Sequence, residues 1–194
     1  MSYAPNATPV VPPRRGLSTG AVIGIVAGGL TLVLAAAIVI GVVVSGHDTI
    51  RLKATGVSME PTIHAGQTVT AEQITAGKYQ PERGDIVVFN APASWRATDA
   101  NPAIVKRVIG LPGDRVSCCD STGRWLVDGQ PLSEPYVATP GTDPPFDILV
   151  PDDRLWVMGD NRLASNDSRR MFLVGNDIGM ATIPISAVTA LVQP

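Results

Sequence analysis

A lysine lies within a stretch of the chain that is otherwise typical of a buried strand. In AIVKRVIG, residues 103–110, strand alternation places Lys106 on the same face as Ile104 and Val108. An ammonium group among apolar side chains must find a partner or lose its proton. Lysine is also scarce, at three of the fifteen basic residues, and unlike arginine it can serve as a neutral amine. A surface lysine whose stem covers apolar atoms is the plain alternative.

A serine and a polar segment are the other candidates for chemistry. Ser58 lies in TGVSMEPT, where Pro61 favours an extended backbone at Glu60, so a turn or strand end should present the serine. MGDNRLASNDSRR, residues 158–170, follows an apolar strand and collects carboxylate, amide, hydroxyl and guanidinium groups. Taken singly, each segment also fits an ordinary solvated loop.

The composition excludes some classes of function. The 194 residues are 45% hydrophobic and 16% charged, with a net charge of −2 and no basic block, so nucleic acid is not an expected partner. No motif implies a metal or an organic cofactor. Cys118 and Cys119 are adjacent, which is neither zinc-ligand spacing nor a CxxC motif. A vicinal disulfide, pairing with other molecules and reduced thiols all stay open.

The first 46 residues differ from the rest. Residues 1–16 are rich in proline and small side chains, and we expect a disordered tail. No charged residue occurs from position 21 to 44, which exceeds the roughly 20 residues that cross a bilayer. We therefore predict a transmembrane signal-anchor helix over residues 17–46, with a cleaved signal peptide as the alternative. Flanking charges are nearly balanced and slightly favour a cytoplasmic N-terminus. A small-residue spacing that would allow helix dimerisation is formed by Gly20, Gly24 and Gly28.

Residues 47–194 predict a single, mostly β domain. Short apolar runs alternate with glycine and proline, and Asp128-Gly129 is typical of a hairpin turn. No long stretch has helical periodicity. Residues 90–102 and 138–147 predict extended loops.

Four segments in this order resemble the bacterial type I signal peptidases: SMEPT, GDIVVF, VKRVIGLPGD and MGDNRLASNDSR. The resemblance runs from the apolar span to about Arg169. It implies a signal-peptidase-like β domain of antiparallel sheets behind one N-terminal transmembrane helix. It also implies a cytoplasmic tail at 1–16 and an extracytoplasmic peptidase domain at 47–194, on the outer face of the cell membrane. After Arg169 the sequence departs from the family pattern, because RMFLVGNDIGMAT precedes Ile183.

The resemblance also implies roles for individual residues. Ser58 matches the nucleophile and Lys106 matches its general base. Burial of this lysine would lower its pKa. Ser165 matches a serine that hydrogen-bonds the lysine. The charged residues that hold the surrounding loop together match Asp160, Asp167 and Arg169. Four residues occupy positions that line the family's pocket for the substrate residue before the cleaved bond: Met59, Ile63, Ile104 and Val105. Some members use a serine hydroxyl as an oxyanion donor where this chain has Gly56.

The expected function is therefore removal of signal peptides after small residues, following the A-x-A rule. Its partners would be translocated preproteins and the lipid bilayer. A Ser–His reading through His64 is not favoured, because no carboxylate is clearly placed to orient that ring. Self-cleaving repressors of the DNA-damage response are another class of Ser–Lys protease with a related β fold. They are not favoured either, since this sequence has a predicted membrane span and no recognisable DNA-binding module. The remaining alternative is a catalytically degenerate, anchored β domain that binds envelope peptides or proteins without cutting.

Overall fold

The structure is a computed structural model that describes residues 48–95, 103–141 and 143–193. The tail and anchor expected at 1–46 lie outside the described residues. Within the described part, no helix has both the length and the apolar character needed to cross a membrane.

Eleven strands and two short helices make up the described part of the domain. The strands are β1 Thr49–Lys53, β2 Thr68–Gln73, β3 Ile86–Asn90, β4 Ala103–Gly110, β5 Arg115–Cys118, β6 Leu126–Val127, β7 Gln130–Pro131, β8 Phe146–Leu149, β9 Arg154–Met158, β10 Ile183–Pro184 and β11 Val188–Val192. The α-helices are α1 Ser168–Gly175 and α2 Ile178–Ala181, and single 3-10 turns occupy Ala93–Trp95 and Ile185–Ala187. All of α2 and all but the first two residues of α1 belong to the stretch where the sequence departs from the family pattern.

The strands form two sheets. The larger runs in the order β1-β2-β11-β3-β4-β9-β10 and the smaller in the order β7-β6-β5-β8. Every pairing in both sheets is antiparallel. The prediction of a mostly β domain of antiparallel sheets is confirmed. The predicted hairpin is also present, since Asp128 and Gly129 join β6 to β7 with φ angles of 52° and 74°.

The middle of the larger sheet is buried on both faces. On β3, Val87 and Phe89 join one apolar cluster while Ile86 and Val88 join another. Two covered faces explain why this strand reads as a continuous apolar run rather than as an alternation. β4 pairs directly with β3, with Lys106 opposite Val87. The candidate base therefore stands directly beside a strand that is buried on both faces.

The two sheets approach closely at the end of β4. A Cβ atom at Gly110 would lie 2.8 Å from Val116 Cγ2 and 2.9 Å from Val150 Cγ2. Only glycine fits this contact, and the pairing of β4 with β9 shifts register beside it. In the smaller sheet, Cys118 at the end of β5 forms a disulfide with Cys119. Of the three cysteine states left open by the sequence, the structure has the vicinal disulfide.

Candidate active site

Ser58 lies on a turn-rich segment between β1 and β2. The turn is closed by backbone hydrogen bonds from Glu60 N–H to Val57 O, at 3.1 Å, and from Ile63 N–H to Met59 O, at 2.9 Å. Met59 and Ile63 are each 4% exposed and pack into the apolar cluster beneath the sheet. This packing fixes the backbone on which the serine stands.

Lys106 and Ser58 come together in the structure. The distance from Lys106 Nζ to Ser58 Oγ is 2.7 Å, and Nζ also donates to the Val105 carbonyl at 3.2 Å. Lys106 is only 3% exposed. Burial lowers the pKa of its amine to about 8, against a smaller opposing effect of the carboxylates of Asp167 and Asp160. A neutral amine at this distance can accept the hydroxyl proton of the serine.

An apolar cleft of about 700 Å³ contains both groups. All four residues expected in the substrate pocket line it: Met59, Ile63, Ile104 and Val105. Among the described residues that line the cleft, the charged ones are Lys53 and Lys106. His64 is exposed, its Nδ1 lies 3.9 Å from Glu60 Oε1, and it is not among the lining residues.

Ser165 lies near the pair but does not hydrogen-bond Lys106. It is buried, and its Oγ has no hydrogen-bond partner among the described residues. The hydrogen bond implied by the resemblance is therefore absent in this structure. Ser165 Oγ instead occupies the space over Gly159, where a Cβ atom would overlap both this oxygen and the Ser58 carbonyl. Glycine at position 159 lets the two serine-bearing segments touch.

Asp160 joins β4 to the nucleophile segment. Its fully buried carboxylate accepts hydrogen bonds from Arg107 Nε and Nη2, at 2.8 and 2.7 Å, and from Thr62 Oγ1 at 2.5 Å. Arg107 follows Lys106 on β4, and Thr62 lies four residues after Ser58. A single carboxylate thus ties together the two segments that carry the candidate base and nucleophile.

Asp167 and Arg169 close the loop that follows β9. Asp167 accepts from the Gly159 N–H at 3.1 Å and from Arg169 Nε at 3.3 Å. Arg169 also donates to Asp143 Oδ2 at 2.8 Å and to the Arg162 carbonyl at 2.6 Å. The loop therefore has both charges of the Asp167–Arg169 pair buried and hydrogen-bonded.

Sequence reasoning missed several of these partners. Arg107 carried a usable signal, because a second cation on an apolar strand also requires a partner. Thr62 belongs to the SMEPT segment, but the resemblance implies no role for it. Nothing in the sequence marks Asp143 as a partner of Arg169, since it lies in a proline-rich stretch 26 residues away. Among the described residues, no cluster of three histidine, cysteine or acidic side chains could hold a metal.

A serine oxygen beside a buried amine in an apolar cleft, carried by antiparallel sheets, is an arrangement suited to peptide hydrolysis. The family model "Signal peptidase, peptidase S26" matches residues 25–193, and the chain belongs to this family. The resemblance drawn from the four sequence segments is thereby confirmed.

Individual relatives agree with this assignment. The chain is 43% identical over 111 residues to a probable signal peptidase I-2 of Synechocystis sp., covering 57% of this chain and 50% of that protein. It is 34% identical over 175 residues to signal peptidase I of Mycobacterium tuberculosis, covering 68% and 59%. It is 38% identical over 138 residues to signal peptidase I of Leptolyngbya laminosa, covering 69% of this chain and 67% of that protein. The chain spans half to three-fifths of the length of the first two relatives.

A crystal structure of a signal peptidase I from Enterococcus faecalis superimposes with a TM-score of 0.46 at 26% identity. The match covers 59% of this chain and 98% of that one. The family assignment rests on the family model and the sequence relatives.

Replacing Asp160 with asparagine tests the carboxylate that joins the two segments. The variant leaves the Arg107 guanidinium, whose side chain is only 11% exposed, without its counter-charge, so we expect a loss of about 3–5 kcal/mol in the free energy of unfolding. Urea denaturation measures it, with the exposed Asp152→Asn variant as control, for which the change should stay within about 0.5 kcal/mol. Equal stability of the two variants would show that Asp160 does not fasten β4 to the nucleophile segment.

Proposed function

We propose that this chain is a membrane-anchored serine endopeptidase that removes signal peptides from translocated preproteins. The observation that carries the proposal is the 2.7 Å contact between Ser58 Oγ and the buried Lys106 amine, in a chain of the signal peptidase family. The relatives are named as signal peptidases, and we extend that activity to this chain.

The reaction begins with Lys106 as a neutral amine. It takes the proton of the Ser58 hydroxyl as Oγ attacks the carbonyl carbon of the scissile bond. The resulting ammonium gives this proton to the leaving amine as the C–N bond breaks, which leaves an ester on Ser58. Lys106 then deprotonates a water molecule that hydrolyses the ester, and serine and amine return to their starting states. No histidine is required.

The oxyanion of each tetrahedral intermediate needs hydrogen-bond donors. The backbone N–H of Ser58 supplies one. Gly56, two residues earlier, has no hydroxyl, so the second donor of some family members must be replaced by a backbone group or water. This chain therefore depends on backbone geometry more than a relative with serine at that position.

The substrate should bind as an added strand. Among the described strands, β9 pairs with β4 only from Arg107 onward, which leaves the same side of residues 103–105 open to a peptide. That opening lies in the wall of the cleft, beside Ile104 and Val105. These two side chains, with Met59 and Ile63, bound an apolar pocket suited to alanine and other small residues, as the A-x-A rule requires.

The anchor completes the proposal. Residues 17–46 would cross the bilayer once, with residues 1–16 in the cytoplasm and residues 47–194 outside it. A short connection from the anchor to β1 would keep the cleft near the membrane surface, where the cleavage site of a preprotein emerges. The spacing of Gly20, Gly24 and Gly28 would also allow the same span to dimerise.

Cleavage of a preprotein with an A-x-A site tests the activity. The full chain in lipid should cut after the second alanine, as mapped by mass spectrometry of both products. Ser58→Ala and Lys106→Arg should each lose at least about a thousandfold in kcat/KM, because one lacks the nucleophile and the other carries a base that cannot deprotonate. An inert wild type would favour the degenerate binding domain, and full activity of Lys106→Arg would refute the lysine as base.

The pH profile tests the protonation state of the base. Since attack requires the neutral amine, kcat/KM should rise with pH and level off above about 8, the lowered pKa of Lys106. Below that value it should fall about tenfold per pH unit. An acidic limb centred near the ordinary lysine value of about 10.4 would contradict the role of burial.

A further inference from the structure

The ring of Tyr136 lies over the guanidinium of Arg107. The distance from Arg107 Cζ to the ring centroid is 4.0 Å, within the range of a cation–π contact. In its own plane the guanidinium already donates to both Asp160 oxygens and, at 2.8 Å, to the Gly84 carbonyl. The face of the group is thus the side left for a further contact, and an aromatic ring suits a guanidinium face.

The segment that carries this ring is fastened at its other end. The Tyr136 hydroxyl donates to Glu134 Oε1 at 3.0 Å. The Glu134 carboxylate in turn accepts two hydrogen bonds from Arg162, at 3.0 and 2.5 Å, and the Arg162 side chain is 1% exposed. Arg162 Nε also donates to the Gly159 carbonyl at 3.1 Å. Residues 134–136 therefore span from the loop after β9 to the Arg107–Asp160 pair.

This ion pair joins the two segments that carry the candidate dyad. Arg107 is the neighbour of Lys106, and Asp160 also holds Thr62 on the segment of Ser58. An ion pair open to water contributes little, because water screens the charges and competes for the hydrogen bonds. A ring that covers the guanidinium face keeps water away and strengthens the pair.

We propose that Tyr136 is a positioning residue for Ser58 and Lys106: its ring covers the Arg107–Asp160 ion pair and so holds the two segments at reacting distance. The inference rests on the proposed function and adds a residue that touches neither substrate nor dyad. The ring performs this role, and the hydroxyl only orients it through Glu134.

Three variants separate the ring from the hydroxyl and from general stability. Tyr136→Met keeps an apolar side chain without a ring, and Tyr136→Phe keeps the ring without the hydroxyl. Tyr79→Met is the matched control, because Tyr79 is also partly buried and also donates its hydroxyl to a carboxylate, Asp85 at 2.8 Å. Tyr79 does not line the cleft.

Steady-state cleavage of the A-x-A preprotein gives the first readout. We expect Tyr136→Met to lower kcat about tenfold and to leave KM within about twofold, as for a group that acts on geometry and not on substrate binding. Tyr136→Phe should retain at least about half of the wild-type kcat. The acidic limb of Tyr136→Met should also move to higher pH. Two carboxylates act on Lys106, those of Asp160 and Asp167. Without the ring, Arg107 would pair less closely with Asp160, so the Asp160 charge would stabilise the ammonium form and raise the pKa of Lys106.

A second readout does not depend on activity. Hydrogen exchange at Arg107 Nε–H, followed by nuclear magnetic resonance of ¹⁵N-arginine protein and assigned with Arg107→Lys, reports water access to the ion pair. We expect exchange at least about tenfold faster in Tyr136→Met than in wild type, and no such change in Tyr79→Met.

The outcomes are distinct. Equal kcat and equal Arg107 exchange in Tyr136→Met and Tyr79→Met would overturn the inference. A Tyr136→Phe variant as impaired as Tyr136→Met would also overturn it, because the effect would then belong to the hydroxyl. If Tyr136→Met does not fold, the comparison of Tyr136→Phe with wild type remains decisive, since loss of activity without the hydroxyl would overturn the inference. If the wild type cleaves no preprotein, the proposed function fails, whereas Arg107 exchange still decides whether the ring shields the pair.

Discussion

The burial of one amine is the constraint on which the rest of the site depends. Lys106 is 3% exposed and lies 2.7 Å from Ser58 Oγ, and burial is the largest influence on its pKa. Two buried carboxylates, Asp160 and Asp167, oppose that influence, and unpaired they would hold the amine as ammonium. Each is instead paired with an arginine, Arg107 and Arg169. The pairing lets the loop use carboxylates for structure while the pKa of the lysine stays below its ordinary value.

The fold supplies what this arrangement needs, a strand held inside a sheet and a nucleophile segment fastened to it. β4 lies inside the larger sheet between β3 and β9, and its neighbours are buried on both faces. Two contacts hold the segment of Ser58: Met59 and Ile63 pack into an apolar cluster, and Thr62 donates a hydrogen bond to Asp160. Catalysis that depends on placing a neutral amine beside a hydroxyl gains from such prior order, because little rearrangement is needed during the reaction.

Alternation and the glycine and proline breaks in the sequence were enough for the mostly β class, the Asp128-Gly129 hairpin and a lysine inside an apolar strand, and the antiparallel sheets followed from the family resemblance. The resemblance then pointed to Ser58 and to the residues that line the cleft. What the sequence could not provide was the choice of long-range partners. Arg107 and Asp160 are 53 residues apart and meet because β4 pairs with β9, an order that alternation does not determine. The contact of the Tyr136 ring with Arg107 is likewise long-range and could not be predicted from the sequence. Ser165 Oγ has no hydrogen-bond partner among the described residues because of its packing over Gly159, which no motif encodes.

Titration of Lys106 itself tests the central claim most directly. The chain has only three lysines, so protein labelled with ¹³C at lysine Cε should give three resonances, with that of Lys106 identified by its loss in Lys106→Arg. Followed across pH in the full chain, the Lys106 resonance should titrate with a midpoint of about 8. A midpoint at the ordinary lysine value of about 10.4 would leave only about one amine in two thousand neutral at pH 7, against about one in ten for a midpoint of about 8, and would contradict the account of a base made available by burial.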